Sequence, residues 1–248
     1  MQRHVTSRNA GLVLALVLLS GSALAPSASA QTPAAPAAGR AAGAPPAGDA
    51  VPRPDLLYKE VWKQPSYTGD LNDEKRRFTQ EAVTNPNLEL KVYGTDAKNV
   101  EVYNHEQRFD LWTGMVTSPV AIMLRHKTSL VDLTGLARLR AIVRSQSLHN
   151  VFPIVKLADG TLIAGGRPIY TDGEYLSTEI AFNNTKWFRV DPVKLTTGPE
   201  VKNPDLSRVD EVGIIDIAPG GGHGNAGWFN LSTVELFAKP VARGAGTR

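Results

Sequence analysis

The stretch VDLTGLARLRAIVR, residues Val131–Arg144, indicates the fold class of this 248-residue chain. It opens with the polar turn sequence Asp-Leu-Thr-Gly, and the residues after the turn alternate in character. Leu139, Ala141 and Val143 share one face of the segment, and its arginines share the other. Because side chains alternate across a strand, this period of two predicts a half-buried antiparallel β-strand, and with it a β-sandwich.

Short β patterns continue along the chain, separated by turns that are rich in glycine and proline. The dipeptide Asp159-Gly160 is typical of a hairpin. One segment, Gly69–Val83, has near-helical spacing of its apolar residues. These patterns predict an all-β fold, an antiparallel β-sandwich of the jelly-roll type with at most one short helix. The further predicted strands are Leu88–Val92, Val120–Arg125, Asn150–Leu157, Thr161–Ala164, Glu174–Phe182, Trp187–Val190, Val209–Ile217 and Trp228–Phe237.

The N-terminal segment has the layout of a secretory signal peptide. Arg3 belongs to a basic start, Leu12–Leu19 is an uncharged apolar run, and Ala28-Ser29-Ala30 forms an Ala-x-Ala cleavage site. The apolar run is too short to span a bilayer comfortably, so we expect no stable membrane insertion after cleavage. The sequence therefore predicts a bacterial protein of the Sec pathway that is secreted or periplasmic.

Composition divides the chain into four segments. We predict a signal peptide over residues 1–30, an Ala/Pro/Gly-rich flexible linker over 31–54, a β-sandwich domain over 55–240 and a disordered tail over 241–248. The linker and the tail hold almost no large apolar residue, so burial cannot offset the entropy lost on ordering them. No second linker interrupts the region between them, which predicts a single folded domain.

The counts of charged residues and cysteines exclude several classes of function. The chain has 27 Lys and Arg against 24 Asp and Glu, and removing Arg3 and Arg8 with the signal peptide leaves 25 against 24. A nearly neutral protein offers no electrostatic attraction for nucleic acid. The chain contains no cysteine, which excludes thiolate catalysis, zinc-thiolate sites, iron–sulfur clusters and disulfides.

Three segments in order resemble galactose-binding-like jelly rolls. Val131–Arg144 resembles their "DLSGYDGLRLRVR" strand, Lys186–Pro192 looks like their "W..V.VPF" strand, and Val209–Phe237 is similar to their closing strand pair. The chain resembles family-11-type carbohydrate-binding modules and complex I intermediate-associated proteins. It is also similar to uncharacterised secreted bacterial proteins that share the elements found here at Ile154–Thr161 and Pro219–Gly224.

This resemblance implies a jelly roll of about eight to ten strands. Such domains often serve as sugar-binding accessory modules and sometimes as assembly factors, and fold alone does not choose between these roles. We predict a secreted, non-catalytic carbohydrate-binding protein with an accessory or sensing role. Two alternatives stay open. One is a secreted sugar-active hydrolase or lyase that uses His223 and a carboxylate such as Asp216, and the other is an envelope assembly or interaction protein with a protein partner.

A glycine-rich loop, Ala218–Gly227, is the sharpest local feature. A β pattern follows it, and no Gly-Lys-Ser/Thr occurs, so it does not match a nucleotide-binding loop. One interpretation is a ligand loop in which the glycines let the backbone approach a sugar and His223 and Asn225 supply polar contacts. The equally weighted alternative is a mobile hairpin loop without a ligand.

Aromatic and arginine side chains supply the other candidate ligand residues. Trp112, Tyr170 and Tyr175 stand among polar residues, where a ring can stack on a sugar and its neighbours can bind the hydroxyl groups. Arg140 belongs to the polar face of the Val131–Arg144 strand, which is either an anion- or uronate-binding stripe or a charged solvent face paired with carboxylates. The second interpretation is favoured, since a sandwich strand needs a charged outer face in any case.

No cofactor is predicted, and a bound metal is suggested only by the family resemblance. The histidines do not show the His-x-His or His-x-x-x-His spacing of a zinc site. Galactose-binding-like jelly rolls frequently hold a structural Ca²⁺, which takes about six to eight oxygen ligands. The resemblance therefore makes Asp132, Asp210 and Glu235 candidate ligands, and the alternative is that these acids cap turns.

Overall fold

The computed structural model describes residues 52–64, 76–105, 108–146, 151–171, 173–217 and 228–244. These ranges hold fifteen strands and two three-residue 3-10 helices, Gln80–Ala82 and Ala97–Asn99. Within them, no helix has the length and apolar character needed to cross a membrane. The strands are β1 (Leu56–Val61), β2 (Leu88–Tyr93), β3 (Glu101–His105), β4 (Arg108–Trp112), β5 (Val120–His126), β6 (Ser129–Asp132), β7 (Arg138–Ser145), β8 (Val151–Leu157), β9 (Leu162–Gly165), β10 (Leu176–Ala181), β11 (Trp187–Val190), β12 (Thr197–Val201), β13 (Val209–Asp216), β14 (Phe229–Phe237) and β15 (Lys239–Ala242).

The strands form two antiparallel sheets that pack as a sandwich. The six-stranded sheet A has the order β10-β7-β14-β4-β3, with β1 also paired to β14. The nine-stranded sheet B has the order β12-β11-β9-β8-β13-β5-β2, and β6 pairs with both β13 and β15. The predicted all-β antiparallel sandwich is therefore confirmed. Each of the predicted strands corresponds to an observed one, and Trp187–Val190 has the predicted bounds.

The main core lies between the two sheets. Leu139 and Val143 of β7 in sheet A share one buried cluster with Val212 and Ile214 of β13 in sheet B. Burying a side chain of this size stabilises the fold by about 1.5–3 kcal/mol. Gly213 lies between two of these residues, and a Cβ built there would be 1.9 Å from the carbonyl oxygen of Ile122 on β5. Only glycine therefore fits this close approach of two central strands.

A second, smaller core covers the outer face of sheet B. It includes Met123, Ile154 and Ile215 from three neighbouring strands, together with Leu195 from the turn after β11. Leu195 is fully buried although its φ is +53°, a left-handed conformation that costs a non-glycine residue about 1–2 kcal/mol. Burial of the side chain offsets this strain. Part of the outer face of sheet B is thus apolar and covered, whereas the outer face of sheet A is polar and aromatic.

The predicted helix does not form within the described part of its segment. Only the 3-10 helix Gln80–Ala82 occurs there, and Val83 bridges to Trp62 in an antiparallel fashion. Phe78 packs edge-on against Trp62, with ring centroids 4.8 Å apart. These tertiary contacts outweigh the weak helical spacing of the sequence. At the other end of the chain, β15 continues to Ala242, which is past the predicted domain boundary at residue 240.

Candidate functional site

Sheet A carries a row of side chains that face one another across five strands. Glu101 on β3 pairs with Trp112 on β4, Trp112 pairs with Asn230 on β14, and Asn230 pairs with Arg144 on β7. Tyr175 directly precedes β10 and lies next to Arg144, because Leu176 pairs with the preceding residue of β7. Directly opposite residues of antiparallel strands share a face. The four strand spacings make this row about 19 Å long.

Four aromatic rings line this part of the sheet. Tyr103, one pleat along β3, has its ring 5.8 Å from that of Trp112, with an angle of 42° between the planes. The ring centroids of Trp228 and Tyr175 lie 4.9 and 5.6 Å from the guanidinium carbon of Arg144. Tyr103 is 46% exposed, so part of its ring is available to a ligand. We call this surface the aromatic face, defined by Tyr103, Trp112, Tyr175 and Trp228 together with Asp110, Arg144 and Asn230.

The backbone after β4 determines where the indole of Trp112 lies. A Cβ built on Gly114 would lie 1.9 Å from Cζ2 and 2.1 Å from Cε2 of Trp112, so the ring packs on the glycine backbone itself. Between them, the buried Thr113 joins β4 to the start of β14. Its hydroxyl accepts a hydrogen bond of 2.9 Å from the N–H of Phe229. The ring therefore lies on a fixed turn, which suits a preformed contact surface.

Asp110, which lies beside the row, forms a polar pair with Tyr175 of the row. The phenol of Tyr175 donates a hydrogen bond to the carboxylate of Asp110, which is fully buried. Burial first, and then the hydrogen bond to Asp110, raise the pKa of the Tyr175 phenol well above its ordinary value. The phenol therefore stays protonated, and its hydrogen bond holds the ring in place at neutral pH.

Arg140, a predicted ligand residue, lies on the same outer face but two rows away from Arg144. It belongs to a ladder of alternating charges, Glu179–Arg140–Glu235–Lys59, that follows the register of β10, β7, β14 and β1. Its Nε donates to Glu235 over 2.5 Å, and Lys59 lies 3.1 Å from the same carboxylate. Burial opposes ionisation of Glu235, but the hydrogen bonds from Arg140 and Lys59 outweigh it and lower the pKa of the carboxyl. The observed pairing is that of a charged solvent face.

The remaining predicted ligand residues do not join the aromatic face. Tyr170 is 71% exposed and lies on the connection between β9 of sheet B and β10 of sheet A. Its neighbour Thr171 accepts a hydrogen bond of 2.6 Å from the N–H of Ser145 at the end of β7. His223 and Asn225 lie outside the residues that the structure describes.

Tyr103 and Asp110 belong to the site although sequence reasoning did not select them. Both follow a period-two pattern that is visible in EVYNH and RFDLW. In the second segment Asp110 and Trp112 alternate with the inward-facing Phe109 and Leu111, and Leu111 is fully buried. The alternation is a usable signal, but each segment has only five residues and a mixed composition, so the sequence alone does not predict a strand in either.

The candidate calcium ligands are engaged with protein partners. Asp132 accepts hydrogen bonds of 2.9 and 2.6 Å from the N–H and hydroxyl of Thr134, and therefore stabilises a turn. Asp210 pairs with Arg125 at 3.0 Å and with Arg243 at 2.5 Å. In the described part of the chain, no group of three or more His, Asp or Glu side chains could hold a metal ion. These acids are therefore not brought together.

No protein-family model matches this chain, and no curated protein sequence matches it. Among solved structures, it is similar to the family 11 carbohydrate-binding module of a cellulosomal cellulase of Clostridium thermocellum, with 14% identity and a TM-score of 0.37 over 60% of this chain and 83% of that one. That module in complex with a β-1,3-1,4-mixed-linked tetrasaccharide matches with 12% identity and a TM-score of 0.38, over 75% and 98% of the two chains. The low-affinity xylan-binding module CBM86 of Roseburia intestinalis matches with 14% identity and a TM-score of 0.30, over 60% and 96%.

Proposed function

We propose that this chain is a secreted, non-catalytic carbohydrate-binding protein that holds a glycan along the aromatic face of sheet A. The observation that carries the proposal is the row of facing side chains in which Trp112 and Tyr175 stand on either side of Asn230 and Arg144. Sugar rings offer apolar C–H faces that stack on aromatic rings, and their hydroxyl groups bind amides, carboxylates and guanidinium groups. In this row Trp112 and Tyr175 supply the rings and Arg144 supplies a guanidinium group, while Asn230 between them is only 4% exposed.

The shape of the row favours an extended glycan over a single sugar. Its length of about 19 Å, from the spacing of the strands, suits several consecutive sugar units. The row also crosses the strands, so its members come from β3, β4, β14 and β7 and, for Tyr175, from the residue directly before β10. Binding to such a surface requires little reorganisation of the protein, which is favourable for affinity.

Secretion and the lack of catalysis are the parts of this proposal that depend on the sequence. The N-terminal segment with its Ala28-Ser29-Ala30 cleavage site supports export. For the enzyme alternative, the carboxylate suggested as partner of His223 is Asp216. Asp216 is buried at the end of β13, which belongs to sheet B, whereas the aromatic face lies on sheet A.

Affinity electrophoresis and a glycan array with the full chain test this function. We expect binding to at least one polysaccharide, and we expect Trp112→Ala to weaken it by about tenfold, the loss for removing about 1.4 kcal/mol of ring contact. Tyr170→Ala is the matched control, since it removes a more exposed ring that lies on a connection between the sheets. An assay for released reducing ends should stay at background.

Two outcomes would contradict the proposal. One is failure to bind any plant, algal or bacterial polysaccharide. The other is an equal loss of affinity in Trp112→Ala and Tyr170→Ala, because the aromatic face would then have no special role. Circular dichroism and the melting temperature of each variant establish that it is folded.

A further inference from the structure

Arg144 differs from the other arginines of β7 in its partners. Arg138 lies 3.5 Å from the carboxylate of Glu179, and Arg140 is bonded to Glu235. For Arg144, no carboxylate of the described residues is within ion-pair distance; its Nε instead donates over 2.6 Å to the backbone carbonyl of Gly173. Among the residues that the structure describes, it is therefore a cation without a direct ion pair, and it stands within the aromatic face.

The guanidinium group of Arg144 is also held in a defined position. It lies over the ring of Trp228 at 4.9 Å and near the ring of Tyr175 at 5.6 Å. Contact with aromatic faces immobilises the planar group while its charge and the N–H groups at its edge are retained. The nearby acid, Asp110, is fully buried and accepts the hydrogen bond from Tyr175. Arg144 also acts electrostatically on the phenol of Tyr175, where it opposes the rise of the pKa. Its guanidinium group is therefore held in place and, among the described residues, lacks only a direct carboxylate partner.

We infer that the glycan held by the aromatic face carries an anionic group, a uronate carboxylate or a sulfate ester, and that Arg144 binds this group. A planar guanidinium can form two parallel hydrogen bonds to a carboxylate or sulfate, and these bonds are shorter and stronger than bonds to a neutral hydroxyl. Asn230 and Tyr175 flank Arg144 in the row, so a sugar ring can stack on an aromatic side chain while its acidic group meets the arginine. This inference rests on the proposed function and names its ligand class.

Titration calorimetry with the full chain tests the inference that Arg144 binds an anionic group of the glycan. The salt concentration is about 0.15 M, because screening at that ionic strength reduces attraction between distant charges. The probes are polygalacturonate and alginate for carboxylates, carrageenan for sulfates, and xylan and mixed-linked β-glucan as neutral polymers. We expect an acidic polymer to bind about tenfold more tightly than the neutral ones, a difference of one charge-assisted contact. Comparing the first two probes with the third identifies which anionic group is bound.

Variants of β7 separate a specific contact from general attraction between charges. Arg144→Gln should remove the preference for acidic glycans, and Arg144→Lys should restore only part of it, because an ammonium group cannot form the paired hydrogen bonds. Arg138→Gln removes the same charge from the same face and should leave the preference intact. The melting temperature of each variant verifies folding.

The remaining outcomes overturn the inference in distinguishable ways. If neutral polymers bind as tightly as acidic ones, or if Arg144→Gln weakens both equally, the ligand class is wrong but carbohydrate binding stands. If Arg138→Gln and Arg144→Gln act alike, the attraction is a general effect of charge and Arg144 has no specific role. If no polymer binds, the proposed function fails together with the inference.

Discussion

Replacing Gly114 with alanine tests whether the indole of Trp112 binds the glycan. A Cβ at this position would lie 1.9 Å from Cζ2 and 2.7 Å from Nε1 of Trp112. Carbon atoms in contact are about 3.5–4 Å apart, so the ring must move by about 1.5 Å or more. The ring is on the outer face of sheet A and can turn away, so we expect the fold to remain and the stacking surface to be lost.

The magnitude follows from the contact that is removed. A well-oriented aromatic contact contributes about 0.5–1.5 kcal/mol beyond the burial of area, which corresponds to a loss of affinity of about 2- to 12-fold. Titration calorimetry with the polysaccharide bound by the parent protein measures this loss, and tryptophan fluorescence reports the displacement of the ring. Gly198→Ala on β12 of sheet B is the control, because a Cβ there would lie 3.6 Å from its nearest neighbour, the carbonyl oxygen of Arg189.

One result would refute this reasoning directly. If Gly114→Ala changes the tryptophan fluorescence but binds the glycan with the parent affinity, the position of the Trp112 ring does not matter for binding. A loss of affinity in Gly198→Ala of the same size would show that the effect does not arise at the aromatic face.

Further predictions concern stability. Gly213→Ala should destabilise the domain by at least about 2 kcal/mol in urea unfolding, since its Cβ would meet the backbone of β5. The control Gly198→Ala should stay within about 0.5 kcal/mol of the parent protein. Equal losses in the two variants would contradict the close approach of the strands at Gly213. Leu195→Ala should lower the free energy of unfolding by about 2–4 kcal/mol through lost burial. Leu195→Gly should be as stable as Leu195→Ala or up to about 1 kcal/mol more stable, because glycine relieves the left-handed conformation. A glycine variant less stable than the alanine variant would show that the strain is absent. Since the folded-state pKa of Glu235 is lowered, its contribution is complete above the ordinary value of 4.5 and is lost as the pH falls through the folded pKa. Glu235→Gln should therefore be less stable than the parent at pH about 7, and the difference should shrink toward pH about 3; a constant difference would argue against this linkage. Stabilisation by calcium stays a prediction, and an unchanged melting temperature on adding EGTA would count against it.

Local patterns were enough to predict the architecture. The alternating segment forms strand β7, in which every second residue is buried. The predicted Asp159-Gly160 turn joins β8 to β9, and Gly160 has a φ of +88°. Both signals depend only on residues close in the chain, where side-chain alternation and turn geometry act. The sequence does not predict strand β12, because it is an exposed edge strand that contains Gly198 and Pro199, a composition also typical of loops.

The candidate site could be predicted only in part, because it depends on which strands become neighbours. The sequence alone identified Trp112 and Tyr175 as candidate ligand residues and grouped the arginines of β7 on one face. Only the pairing of β14 with β7 and β4 brings Asn230 between Trp112 and Arg144, from positions more than 80 residues away in the chain.

The pairing of β7 with β10 and β14 also decides which arginine of β7 lies beside a carboxylate. Arg138, Arg140 and Arg144 share one face and one residue type, and the sequence alone determined that much. The register with β10 and β14 places carboxylates beside Arg140, but it places an amide and an aromatic ring beside Arg144. A strand's own sequence sets which side chains share a face, through the period of two. The partner that each side chain meets is set by hydrogen-bonded register between distant segments, which only the tertiary structure decides.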